Sequence, residues 1–128
     1  MTVLLDTHVL LWSFISPASL SRTCSGILSD KTSEIFVSAA SAWEIATKVR
    51  IGKLPEATEL ESHFMDALSE VGFSLIPIEA ETALHAGRLP AAHGDPFDRI
   101  IAAQALDLAV PILSKDAQLD AFGIRRIW

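Results

Sequence analysis

Cysteine is almost absent. Cys24 stands alone among 128 residues, so no internal disulfide can form, and the chain suits a reducing compartment. A lone cysteine of this kind reads as a small buried hydrophobe rather than a reactive thiol. Glycine and proline number only six each, which argues against a disordered chain. No repeat, biased tract or linker is visible. No apolar run is long enough to cross a bilayer. The opening MTVLLDTH lacks the basic residues and the apolar length of a signal peptide, so a soluble, cytoplasmic protein is expected. Basic charge is also scarce: ten lysines and arginines face sixteen aspartates and glutamates, a net charge of −6. Taken alone, that balance argues against nucleic acid as a partner. The objection weakens if several carboxylates gather around a cation that neutralises them.

What is present is apolar. Half of the residues are hydrophobic, and the length fits one domain over residues 1–128 with a real core. Short apolar runs alternate with longer helical stretches. Strands are predicted at 3–5, 35–37, 73–78, 111–113 and 124–128. Helices are predicted over 9–14, within 18–30, from Ser38 or Ser41 to about Gly52, over 79–89 and over 95–108, with a short one near 117–122. Leu60, Phe64, Leu68 and Val71 recur at helical spacing and predict one further helix ending at Gly72. The strands are continuous apolar runs, as expected when both faces are covered. Such alternation indicates an α/β domain with a parallel sheet between helices.

Open parallel sheets bind ligands beyond the carboxyl ends of their strands. Asp6 follows the first strand, Glu44 lies early in the helix after the second, and Asp116 follows the fourth. Asp98 opens the helix that leads into the fourth strand. In a simple crossover that helix end would face away, so a long connection such as LPAAHGDP (89–96) must carry it to the others. Each acid also has an ordinary explanation. Asp95-Pro96-Phe97-Asp98 fits a helix start with Asp95 as N-cap. Ser41 and Glu44 fit a capping box. Asp6 and Asp116 fit turns. Together the ordinary account is weaker, because two carboxylates held about 5 Å apart repel by roughly 3 kcal/mol at an effective dielectric of ~20. A gathering of them must bind protons or hold a cation. Oxygen ligands without cysteine favour Mg²⁺ or Mn²⁺ over zinc.

Four blocks, LLDTHVLLW (4–12), SAASAWEIATKVRIGKL (38–54), HGDPFDRIIAAQA (93–105) and LSKDAQLDAFGIRRIW (113–128), resemble the PIN-domain ribonucleases, and most of all the VapC-type toxins of bacterial toxin–antitoxin pairs. They lie in family order and span nearly the whole chain. The resemblance implies a three-layer α/β/α sandwich around a mainly parallel sheet of about five strands. It implies that Asp6, Glu44, Asp98 and Asp116 surround one Mg²⁺ or Mn²⁺ site and carry metal-dependent hydrolysis of RNA. It also implies a second copy of the chain and a small antitoxin as partners. Ser114 and Thr7 stand where the family often carries small hydroxyl residues near the metal.

Other residues bear on this expectation. Lys48, Arg50, Lys53, Arg99 and Lys115 are candidates for RNA phosphates, or else solvated surface charges. His8 and His93 lie near candidate acids, and no histidine has zinc-type spacing. Trp12, Phe14, Trp43 and Trp128 belong to the core or to a patch for a partner. Two rivals remain: a phospho-receiver signalling domain, which lacks its aspartate after the third strand here, and a non-catalytic binding module on the same fold.

Overall fold

Val3, Leu4 and Leu5 are fully buried. In β1 (Thr2–Leu5) successive side chains point to opposite faces. Val3 and Leu5 accordingly join one core, with Val9, Leu10, Ile35, Val37, Ile45 and Leu68. Leu4 joins another, with Ile101, Ala102, Ala105, Ile112, Leu119 and Phe122. A strand buried on both sides needs helices on both sides. The computed structural model, which describes residues Met1–Trp128, shows that arrangement.

After β1 come α1 (Thr7–Ile15), α2 (Arg22–Ser29), β2 (Glu34–Ser38) and α3 (Ala39–Arg50). Then follow α4 (Thr58–Ser62), α5 (Phe64–Val71), β3 (Ser74–Ile76), α6 (Ala80–Arg88) and α7 (Pro96–Leu108). β4 (Ile112–Leu113), a 3₁₀ helix (Ala117–Phe122) and β5 (Arg126–Ile127) complete the chain. The five strands form one parallel sheet in the order β3-β2-β1-β4-β5. The sandwich expected from the resemblance is the observed fold. A receiver domain has the order 2-1-3-4-5, so the sheet removes that rival. No helix is long and apolar enough to cross a membrane. Cys24 is buried in the first core, as expected.

Three local expectations need correction. The helix marked by Leu60 to Val71 is broken at His63, where the backbone leaves helical geometry, so α4 and α5 are separate. Leu60 and Leu68 still face the core, while Val71 is exposed. The helix after β2 begins at Ala39: of the two starts expected, Ser38 is the cap, its hydroxyl accepting the N–H of Ala40 at 3.0 Å. Ser41 and Glu44 therefore lie inside α3 and form no capping box.

The third correction concerns α7. Two helices connect β3 to β4, and they pack as an antiparallel hairpin. The Thr82 hydroxyl, early in α6, donates to Asp107 near the end of α7. At the other end, Arg99 in the first turn of α7 donates to Ala86 at the end of α6. A helix running antiparallel to the strand it feeds must begin at that strand's carboxyl edge. The start of α7 thus faces the other acids, with Phe97 against Trp43 of α3 at 4.7 Å between ring centroids. It is α6 and residues 89–95 that return the chain to this edge.

Candidate metal centre

Asp6 stands one residue past the end of β1, the middle strand, and is only 4% exposed. It precedes α1 but makes no side-chain cap bond there. Its Oδ2 instead accepts the Ser114 hydroxyl at 2.6 Å, across 108 positions of sequence. Ser114 Oγ also accepts the Asp116 N–H at 3.0 Å, so one buried hydroxyl ties the end of β1 to the turn after β4. Beside it, the Thr7 and Ser41 hydroxyls bond at 2.9 Å and join α1 to α3. Both small hydroxyl residues singled out from sequence, Ser114 and Thr7, lie buried at this edge.

Glu44 projects from the second turn of α3 and is also 4% exposed. Lys48, one helical turn on, pairs with its Oε2. Oε1 is buried with no hydrogen-bond partner. An orphaned carboxylate oxygen is costly in a folded interior.

Asp98 lies in the first turn of α7. Asp95 caps that helix, its Oδ1 accepting the N–H groups of Phe97 at 2.9 Å and Asp98 at 3.2 Å. The pair singled out in the sequence therefore divides its labour: Asp95 builds the helix end, and the Asp98 carboxylate is not spent on capping it. Asp98 Oδ2 meets His93 Nε2 at 2.8 Å. His93, Asp98 and Asp116 each offer a ligand atom within 4.8 Å of the others. Asp116 uses Oδ1 to accept the Gln118 N–H at 2.9 Å, capping the 3₁₀ helix as a turn residue would.

Electrostatics link the remaining acids to this trio. Burial pushes the Asp98 carboxyl up to about 6; Asp6, Asp95 and Glu44 push it the same way, while the His93 bond opposes them. Burial raises Asp6 above its ordinary value too, opposed by the Ser114 hydroxyl, the His8 charge and the Thr7 N–H, and reinforced by Glu44. Four acids from four separate elements thus converge on the carboxyl edge. They do not form one tight shell: Asp98 and Asp116 lie beside His93, and Asp6 and Glu44 are more deeply buried. A cleft of about 310 Å³ opens here, lined by Asp6, His8, Trp12, Lys115 and Asp116. A larger hollow, about 530 Å³, lies against α4 and α5 and holds none of these residues.

The residues fit a divalent cation. The candidate donors are carboxylate oxygens, one of them held by the His93 ring, two carboxyls are pushed towards protonation, and Glu44 Oε1 has nothing to bind. A hard cation relieves all three conditions. Among the candidate phosphate contacts, Lys48 is engaged by Glu44. Arg99 spends its guanidinium on backbone carbonyls. Lys115 stays exposed in the cleft. Sequence reasoning gave His93 a minor place; the signal that raises it is tertiary, since a loop histidine five positions before an acid has no periodic partner.

The PIN domain family matches residues 3–124. Ribonuclease VapC22 of Mycobacterium tuberculosis is 31% identical over 119 residues, 92% of this chain and 89% of that protein. Ribonuclease VapC16 of the same organism is 37% identical over 59 residues, 46% of this chain and 42% of that protein. In fold, the chain is similar to the crystal structure of VapBC2 from Rickettsia felis bound to a DNA fragment from their promoter. The TM-score is 0.72 and the identity 17%, with 100% of this chain and 99% of that one covered. The crystal structure of FitAcB from Neisseria gonorrhoeae gives a TM-score of 0.67 at 19% identity, over 98% and 96% of the two chains.

Proposed function

Since the chain belongs to the PIN domain family, we propose that it is an endoribonuclease dependent on Mg²⁺ or Mn²⁺, acting as the toxin of a toxin–antitoxin pair. The observation that carries this reading is geometric: ligand atoms of His93, Asp98 and Asp116 lie within 4.8 Å of one another, and Asp6 and Glu44 are buried at the same sheet edge. Carboxylates gathered from separate elements suit a cation better than a set of unrelated caps.

Asp6, Asp98 and Asp116 hold the ion in this reading, directly or through its waters, and Glu44 completes the acidic set. When bound, a divalent ion supplies a water of lowered pKa and a Lewis acid for the phosphate oxygens. The chain's own residues set the stage. Ser114 holds Asp6 by one oxygen, leaving the other to the ligand. Asp95 fixes the helix turn from which Asp98 projects. His93 holds one Asp98 oxygen and stops the carboxyl rotating. Lys115, in the cleft beside Asp6 and Asp116, offers a cation to the RNA backbone. That matters for a chain of net charge −6, which has no long-range attraction for RNA.

A small antitoxin is the partner this reading requires, with a second copy of the chain as the other. The purified protein is incubated with total RNA, with and without Mn²⁺, beside the Asp98→Asn variant. Metal-dependent cleavage lost in the variant supports the enzyme. RNA binding without cleavage favours the non-catalytic module, and full activity in excess EDTA refutes the metal mechanism.

A further inference from the structure

Arg99 is the fourth residue of α7, next to Asp98. Cations are disfavoured near a helix N-terminus, where the dipole is positive. The side chain nevertheless turns inward, its guanidinium 5.8 Å from the Phe122 ring centroid. It meets five backbone carbonyls. Nε donates to Ala86 at 3.0 Å, Nη1 to Ala91 at 3.0 Å and His93 at 2.8 Å, and Nη2 to Leu89 and to Gly87 at 3.5 Å. A guanidinium has five N–H donors and no more.

Those acceptors are not arbitrary. Ala86 and Gly87 lie in the last turn of α6, whose carbonyls have no helical partner and carry the negative end of its dipole. Leu89, Ala91 and His93 belong to the stretch between α6 and α7, outside any helix or strand. One planar, permanently charged group therefore closes a helix and folds the loop after it. The last carbonyl it holds is that of His93, whose ring meets Asp98. Asp98, Arg99 and His93 form a closed circuit.

We infer that Arg99 is a positioning residue: by gathering the carbonyls of residues 86–93 it fixes His93 and Asp98 in the geometry that holds the metal, and it does not contact RNA. The inference rests on the metal-dependent reading above.

The test compares the unsubstituted chain with Arg99→Lys and Arg99→Ala. Mn²⁺ affinity is measured by calorimetry without RNA, backbone hydrogen exchange over 86–95, and kcat and KM for RNA cleavage. Lysine keeps the charge but offers a point cation in place of the fork. Both variants are expected to keep their far-UV circular dichroism and to lose roughly 10- to 100-fold in Mn²⁺ affinity, the usual effect of removing a group that orients a ligand. Exchange over 86–95 rises, kcat falls and KM is unchanged. Millimolar guanidinium restores Mn²⁺ binding to Arg99→Ala. Unchanged affinity and exchange overturn the inference, as does a loss confined to KM and its salt dependence, which would make Arg99 a phosphate contact. Global unfolding of both variants also overturns it, leaving a purely structural role. If the unsubstituted chain binds Mn²⁺ but cleaves no RNA, the nuclease reading fails while the calorimetry still decides Arg99. No Mn²⁺ binding at all ends both.

Discussion

A buried carboxylate is a liability unless something shares its charge, and Asp6 is such a carboxylate. Its raised carboxyl destabilises the metal-free fold at neutral pH. Asp6→Asn removes the charge yet keeps an oxygen to accept the Ser114 hydroxyl. The expected result is loss of metal-dependent cleavage with a melting temperature, measured in EDTA, equal to or above that of the unsubstituted chain. A drop of several degrees would mean that the carboxylate is itself structural. Asp98 extends the argument to pH. Its folded value, about 6, lies above that of a free carboxyl, so its ionisation costs stability in the folded state. That cost is present above pH 6 and disappears as pH falls towards the unfolded value. This contribution should therefore leave melting in EDTA flat well above pH 6 and raise it as pH is lowered from about 6 towards 4, and Asp98→Asn should flatten that slope. Mn²⁺ affinity moves the other way, weakening as pH falls through about 6 because protons and metal compete for one carboxyl.

At the level of elements, helix ends decide where the acids go. Asp95 accepts two N–H groups that α7 cannot bond internally. Asp95→Ala is expected to cost about 1 kcal/mol. That lowers the melting temperature by about 3–5 °C for a chain of this size. Cleavage should survive at low temperature, which separates a capping acid from Asp98. At the other end of α7, Ala109 has φ of 54°, a left-handed conformation that glycine adopts without penalty. Ala109→Gly should stabilise the chain by up to about 1 kcal/mol, read as a higher melting temperature. Helix ends also mark what the sequence could reveal. The Asp-Pro start of α7 and the Gly72 stop of α5 were legible, because caps are local chemistry. The break at His63 was not, since Leu60 and Leu68 keep their core-facing period across it. Ser41 resembled a cap because a glutamate follows at the right spacing, but Ser38 stands at the actual turn out of β2. The placement of Asp98 needed the antiparallel packing of α6 on α7, a tertiary fact. Arg99 shared a polarity with the phosphate-binding residues it was grouped with, and only its five carbonyl partners reveal a different task.

For the whole molecule, the strand order places β1 at the centre and the acids at one edge. On the proposed reading, metal binding couples elements that the chain keeps far apart. A ligand bound only by the folded state adds about 2.7 kcal/mol at 100 times its dissociation constant. Saturating Mn²⁺ should accordingly raise the melting temperature of the unsubstituted chain and leave Asp6→Asn nearly unmoved, a comparison made by calorimetric scans with and without EDTA. The fold class was readable from the alternation of apolar runs and helices, because both faces of the sheet are covered and patterning alone records that. The order of the strands was not, since nothing within a strand says which neighbour it takes.

The orientation of β5 has a practical consequence. Trp128 follows that strand and packs at a tilt against Trp12, which lines the acidic cleft, with 5.8 Å between ring centroids. Met1 precedes β1 and sits at the opposite rim. A polyhistidine purification handle fused after Trp128 therefore leaves the protein beside the carboxylates and brings its imidazoles into competition for the same ion, whereas one fused ahead of Met1 emerges on the far side and leaves titrations with manganese undisturbed.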